Sequence, residues 1–259
     1  MLESIRLDGR TILVTGAAGD IGRAVARSCV ARGADVLLTD LPSERLEKLA
    51  RELGARSAAA DLSDANQAQR AVRKLVEHAV PDGLVTAAGM NTRTPLLDLK
   101  LEEWDQVQHI NLRGTFFSIQ EVARAMLEAG SEGSIVAVGS IGAWQPYPGL
   151  GHYEAAKAGV LALTRAWAMS LAPHRIRVNA VAPGVIDTTM TRTTLADAQT
   201  RSERLARIPL DRFGTPNDVA QGVCHLLSDA ASWMTGTTLT IDGGQSVGPM
   251  LRRTSPSGA

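Results

Sequence analysis

Tyr153 and Lys157 stand four residues apart at the head of a helical pattern, so their side chains share one face. That pairing suits proton chemistry. A free phenol ionises near pH ~10 and is a poor base at neutrality. A neighbouring ammonium favours the phenolate, lowers that value and makes proton exchange with an alcohol feasible. Ser140 follows the strand pattern Ser134–Gly139, where its hydroxyl can hold a substrate oxygen at the same edge.

A second group of residues suits an anion. The run Gly16-Ala17-Ala18-Gly19-Asp20-Ile21-Gly22 follows a β-branched stretch and opens a helical one. Glycines there let the backbone turn sharply toward a pyrophosphate, and the free amides of a helix start face its charge. Asp40 comes about 20 residues further on, where a dinucleotide fold places an acid on the adenosine ribose. Its carboxylate accepts from both ribose hydroxyls and repels a 2′-phosphate. No Arg or Lys lies in Leu41-Pro42-Ser43, nor at Ala17 or Ala18, so the pattern favours NAD over NADP. Asp61, followed by Leu62, ends a third strand pattern within reach of an adenine amino group.

These residues need a scaffold that brings strand ends to one edge. Strand patterns at Thr11–Thr15, Asp35–Thr39, Arg56–Ala60, Gly83–Ala88, Ser134–Gly139, Arg175–Val181 and Thr238–Ile241 are separated by helical ones. The helical patterns cover Ile21–Arg32, Ser43–Leu53, Ala65–Ala79, a long Glu102–Glu128, Tyr153–Leu171 and Val219–Leu227. Such alternation predicts an α/β fold: a single doubly wound parallel sheet with helices on both faces and its ligand loops along one edge. No repeat or linker divides the chain, so residues 1–250 are expected to form one domain. Residues 251–259 read as a disordered polar tail.

The chain resembles the short-chain dehydrogenase/reductase family over residues 8 to 248. The resemblance is carried by the loop Thr15–Gly22, Asp61-Leu62, and Ala87-Ala88-Gly89. Asn111 in His109-Ile110-Asn111-Leu112, Ser140, Tyr153 with Lys157, Asn179, Pro183-Gly184 and Asp242-Gly243-Gly244 complete it. It implies a Rossmann-type NAD-binding catalytic domain. Tyr153 is then expected to exchange the proton, Lys157 to tune it and bind the nicotinamide ribose, and Ser140 to position the substrate. Asn111 should hold a water that joins Lys157 to solvent. Gly16, Gly19, Asp20, Ile21, Asp40, Asp61, Leu62, Ala88 and Gly89 are expected to touch the cofactor. Pro183, Gly184, Val185, Ile186 and Thr188 should seat its nicotinamide end. The family also implies a homotetramer, with one two-fold contact between the long helices and another at the last helix and strand. Leu161, Leu163 and Trp167 are candidates for the helical face.

Two positions depart from the family pattern. Asp20 replaces the middle glycine of the loop and is expected to cap the following helix, its carboxylate turned from the phosphates. Thr86 stands where Asn is common, so bracing of the sheet nearby should differ.

Residues 188–212 resemble the family's mobile substrate lid. They hold five arginines (Arg192, Arg201, Arg204, Arg207 and Arg212) against Asp197, Glu203 and Asp211. A solvated helix with pairs such as Glu203–Arg207 accounts for them; an anionic substrate is the other reading. Trp144, Gln145, Tyr147 and His152 are candidate pocket residues. Aromatic rings and amides together suit a polyhydroxylated substrate.

Composition narrows the rest. With 27 basic and 27 acidic side chains in 259 residues the net charge is zero, which gives no footprint for nucleic acid or a polybasic membrane patch. No apolar run approaches the ~20 residues of a membrane span, and no secretory signal is visible. Cys29 and Cys224 are distant in sequence and read as reduced core residues, and no metal site is expected. The expectation is a cytoplasmic, NAD-dependent enzyme of carbohydrate metabolism that interconverts a secondary alcohol and a ketone or lactone, with a sugar or polyol as substrate. A 3-oxoacyl-thioester or cyclic terpenoid alcohol is the enzymatic alternative, and an NAD-sensing scaffold the non-enzymatic one.

Overall fold

Short runs of Val, Ile, Leu, Ala and Thr form the strands: β1 Thr11–Thr15, β2 Asp35–Asp40, β3 Arg56–Ala59, β4 Gly83–Thr86, β5 Gly133–Val138, β6 Ile176–Pro183 and β7 Thr238–Ile241. In the computed structural model, which describes residues 5–248, they make one parallel sheet in the order β3-β2-β1-β4-β5-β6-β7. The tail expected at 251–259 lies outside the described residues. The order reverses between β1 and β4, the switch point at which doubly wound sheets bind ligands.

The helices are α1 Asp20–Val30, α2 Glu44–Leu53, α3 Ala65–His78, α4 Leu101–Gln108, α5 Gly114–Ala129, α6 Gly151–Leu171, α7 Thr189–Leu195, α8 Ala198–Leu205 and α9 Pro216–Leu227. α1, α2 and α9 enclose one core layer with Val14, Leu38, Val85 and Val136. α3, α5 and α6 enclose the other with Leu13, Leu37, Leu84 and Ile135. Adjacent residues of one strand thus enter opposite layers, and each fully buried Leu or Val contributes ~1.5–3 kcal/mol.

Three expectations need correction. The long helix Glu102–Glu128 is interrupted by a π-turn, His109–Arg113, with Asn111 at its centre. The segment 188–212 contains two short helices, α7 and α8, both capped by side chains: Thr188 with Thr191, and Asp197 onto the Thr200 amide. Leu161 belongs to the chain's own core beside Ala137, Val160 and Ala180, so it is not available to a subunit contact.

Cys29 and Cys224, distant in sequence, meet between α1 and α9 with their sulfurs 4.0 Å apart. At the ligand edge, Thr15 sits in register with Thr39 on one side and Thr86 on the other. All three hydroxyls are buried without a partner among the described residues. Thr86 therefore does not bridge its neighbours, in line with the altered bracing expected there.

Candidate active site

The phosphate loop leaves β1 through Gly16, whose φ of 65° favours glycine. A Cβ there would lie 2.4 Å from the backbone N of Ala88, and one at Gly22 would lie 2.1 Å from the Gly16 carbonyl oxygen. The close approach of loop, helix and β4 thus excludes any side chain at either position. Asp40 closes the far side of the loop. Its Oδ2 accepts from the Ala18 amide at 2.7 Å and its Oδ1 from the Leu41 amide at 2.7 Å.

Asp20 does not cap α1. Gly19 takes the cap position with extended backbone and no side-chain bond, and Asp20 is the first helical residue. Its carboxylate accepts from the Thr189 amide at 2.6 Å and pairs with Arg23 at 2.8 Å. Burial acts to raise its pKa, but the Thr189 bonds and Arg23 outweigh it and hold the carboxyl below the ordinary value. A carboxylate in the first helical turn is also favoured by the helix dipole. The departure from glycine therefore ties the phosphate loop to the start of α7.

At the nicotinamide end, one cavity is lined by Ile21, Gly89, Asn111, Ser140, Tyr153, Lys157, Pro183, Gly184, Ile186 and Thr188. Val185 lines the adjoining cavity. Asp61 and Leu62 lie apart from this group, at the end of β3. There Asp61 accepts from the Ser63 amide at 2.8 Å, and Leu62 is buried.

The π-turn presents Asn111 to this site, as π-turns in helices often do for functional residues. Asn111 is fully buried and donates through Nδ2 to the carbonyls of Met90 at 2.8 Å and Val107 at 2.9 Å, while its Oδ1 has no partner among the described residues. A Cβ at residue 89 would lie 2.7 Å from that Oδ1 and 3.5 Å from Lys157 Nζ, so Gly89 keeps the space between the two open. This open cradle and its orphaned oxygen fit a site built around a nicotinamide nucleotide and a bridging water.

Ser140 accepts from the Gly142 amide at 3.0 Å, which fixes its hydroxyl at the end of β5. Lys157 Nζ donates to the Val138 carbonyl at 2.8 Å and lies 5.7 Å from the Tyr153 ring centre. Burial lowers the Lys157 pKa to about 8. Tyr153 is not lowered as its spacing from the lysine suggests. Burial pushes the phenol up, the Ser140 hydroxyl opposes that rise, and Glu154 adds to it. At this lysine distance, desolvation outweighs attraction.

The substrate side contains residues that the sequence singled out and others that it did not. Tyr147 lines the pocket, and the Gln245 amide donates to its hydroxyl. Trp144 is instead exposed, and neither it nor Gln145 lines the cavity. His152 is fully buried behind it, with Nε2 bonded to Thr92 at 2.7 Å. Asn91, Arg93, Glu154 and Gln245 come from segments far apart in the chain and carry no local motif. The Glu203–Arg207 pair does not form. Glu203 accepts from Gln199 at 3.0 Å, while Arg204 and Arg207 lie 4.9 and 6.0 Å from the centre of the Tyr147 ring.

A nucleotide loop at the switch point, with Ser, Tyr and Lys converging on one cavity, defines a nicotinamide-dependent oxidoreductase. The chain belongs to the short-chain dehydrogenase/reductase family. The family model described as enoyl-(acyl carrier protein) reductase matches residues 16–246. The chain is 40% identical to 3-oxoacyl-[acyl-carrier-protein] reductase FabG of Thermotoga maritima, covering 93% of this chain and 99% of that one. It is 39% identical to L-rhamnose 1-dehydrogenase (NAD(P)(+)) of Sphingomonas sp., covering 93% and 98%. Among solved structures, a putative NAD(P) dependent gluconate 5-dehydrogenase from Beutenbergia cavernae with bound NADP superposes with a TM-score of 0.90. Its sequence identity is 35%, over 95% of this chain and all of that one.

Proposed function

We propose that this protein is an NAD-dependent dehydrogenase that interconverts a secondary alcohol and a ketone or lactone, acting on a sugar or polyol. The observation that carries this reading is the convergence of Asn111, Ser140, Tyr153 and Lys157 on one cavity. When bound, the nicotinamide accepts or returns the hydride. Tyr153 takes or gives the proton at its Oη, and Ser140 holds the substrate oxygen through the exchange. Lys157 supplies positive charge and binds the nicotinamide ribose. Asn111, with its free Oδ1, holds the water that connects Lys157 to solvent. Ile21, Gly89 and Pro183 to Thr188 enclose the nicotinamide end, and Gly16 to Asp20 the phosphates, with Asp61 and Leu62 toward the adenine.

The relative that acts on L-rhamnose supports the sugar reading. The acyl-carrier-protein relative keeps a 3-oxoacyl thioester as the alternative. A panel of polyols, aldoses, hydroxyacyl thioesters and cyclic alcohols, followed by nicotinamide absorbance, tests the assignment. Turnover of no alcohol class would favour a nucleotide-sensing scaffold instead.

Asp40 supports NAD over NADP, because its carboxylate would face a 2′-phosphate. NAD is expected to bind at least about tenfold more tightly, the scale of a like-charge contact near a protein surface. Asp40→Ala should narrow that ratio in titrations of both nucleotides. Equal affinity of the unaltered protein for both would remove the argument.

A cytoplasmic homotetramer completes the reading. β7 is an edge strand with partly exposed residues, Trp233 beside it is exposed, and α6 presents Met169 outward, so both family contact surfaces have apolar groups to cover. Light scattering at micromolar concentration should give four times the chain mass, and a monomer mass would exclude this assembly.

A further inference from the structure

The substrate cavity contains two arginines, Arg93 from the segment after β4 and Arg204 from α8, beside the reacting group Tyr153. Neither has a carboxylate within ion-pair distance among the described residues. Some other arginines of this chain do, such as Arg27 with Glu52, Arg73 with Glu121 and Arg212 with Asp218, while others, Arg201 and Arg207 among them, do not; what sets these two apart is their place in the cavity. Arg93 is exposed, but Arg204 is half-buried, and a charge left unpaired there loses hydration without compensation. Burial, and then the nearby Arg93 guanidinium, push the Arg204 pKa below its ordinary value.

Glu154 lines the same cavity but does not neutralise the pair. Its Oε1 is taken by the Tyr147 amide, and burial pushes its carboxyl up. The charges acting on Arg204 are those of Arg93, Tyr147 and Arg207, not that of Glu154.

Arg204 is also held in place, and Arg93 more loosely. Arg204 lies over the Tyr147 ring at 4.9 Å, and Gln245 fixes that ring through its hydroxyl. Arg93 donates to the Pro148 carbonyl at 3.4 Å and packs against Gly149. A guanidinium restrained by stacking loses less entropy on binding a planar oxyanion than a free surface side chain does.

We propose that the substrate is an anionic polyhydroxy compound whose carboxylate or phosphate ester is received by Arg93 and Arg204. This rests on the dehydrogenase reading given above and narrows its substrate class. Glu154, Gln245 and Asn91 are left to meet hydroxyl groups, each offering acceptors or donors at the cavity wall.

The test compares aldonates of four to seven carbons, the corresponding alditols, the corresponding sugar phosphates, and simple aliphatic and cyclic secondary alcohols, all with NAD. At least one anionic series is expected to exceed its neutral counterpart in kcat/KM by about tenfold or more, the scale of a charge-assisted contact. Aldonates leading would assign the carboxylate, and sugar phosphates leading the phosphate ester. Arg204→Gln and Arg93→Gln should each raise KM for the preferred anion by about 10- to 100-fold and move the anion preference toward parity. Unchanged melting and NAD titrations of both variants would separate recognition from folding. Neutral substrates performing as well as anionic ones, or a preference that survives both substitutions, would overturn the inference. Turnover of simple alcohols without any anionic substrate would overturn it while leaving the dehydrogenase reading intact. Turnover of nothing would remove both.

Discussion

Tyr153→Phe is expected to yield a folded protein that binds nucleotide and turns over about 10²–10⁴-fold more slowly, the usual contribution of a positioned acid/base. The ring stays, so packing at the head of α6 is preserved. The phenol bonds the Ser140 side chain, but Ser140 is also held by the Gly142 amide, and Lys157 by the Val138 carbonyl. Removing the hydroxyl therefore takes one partner from the partly buried Ser140 and leaves it the Gly142 amide, and the melting temperature should change little. Turnover near the unaltered rate, with the chemical step rate-limiting, would remove Tyr153 from its role. His152 is no substitute base. Its ring is fully buried, and Nε2 is engaged with Thr92.

Lys157→Met should move the pH dependence as well as the rate. Oxidation of an alcohol needs the site to have given up a proton, so its rate is low in acid and rises with pH. Reduction runs the other way, favoured at low pH and lost as the proton leaves. The first proton to leave the Tyr153–Lys157 pair is governed by the lysine, whose pKa burial brings to about 8. The oxidation profile of the unaltered enzyme should therefore rise with an apparent pKa near 8. In the variant only the phenol is left to give up that proton, and burial holds it above its ordinary value of ~10 even in the unaltered protein. Its active form at neutral pH then falls by about 100-fold or more, and loss of the ribose contact adds weaker nucleotide binding. A flat profile in the unaltered enzyme, or a Lys157→Met variant that still rises near pH 8, would refute this account.

Much of the scaffold was legible because its signals are local. Thr11–Thr15 is apolar and β-branched, a glycine loop follows, and an acid ends the next strand; each feature needs only neighbours in sequence. The four-residue spacing of Tyr153 and Lys157 likewise fixes their shared face. The π-turn was not legible, because nothing in His109-Ile110-Asn111-Leu112-Arg113 breaks helical periodicity. α7 and α8 were obscured for a different reason. They are short and polar, and their caps, Thr188 and Asp197, stabilise helices without an apolar stripe to announce them. Leu161 was misplaced because α6 is apolar on several sides, and periodicity cannot say which side meets the sheet. Asp20 was misassigned by one position, since Gly19 reaches the extended cap backbone without a side chain. Of the pocket arginines, Arg204 stands out within the arginine-rich 188–212 segment, whereas nothing near Arg93 marks it. Arg93 and Arg204 meet only because the sheet edge gathers loops more than a hundred residues apart.

Asp40 has two occupations, and they constrain how this chain can change. Its oxygens brace the Ala18 and Leu41 amides, while its charge is what the proposed choice between nucleotides rests on. A mutation that only wished to admit a phosphate would at the same moment unfasten the loop beneath it. Asparagine retains one carbonyl oxygen for one of those amides and sheds the charge, whereas alanine or glycine abandons both amides. Viable routes to a different nucleotide therefore run through pairs of substitutions, one supplying a new brace before or as the acid departs. Drift at this position is epistatic from its first step, because the architecture ties the acid to the loop whichever nucleotide the site takes.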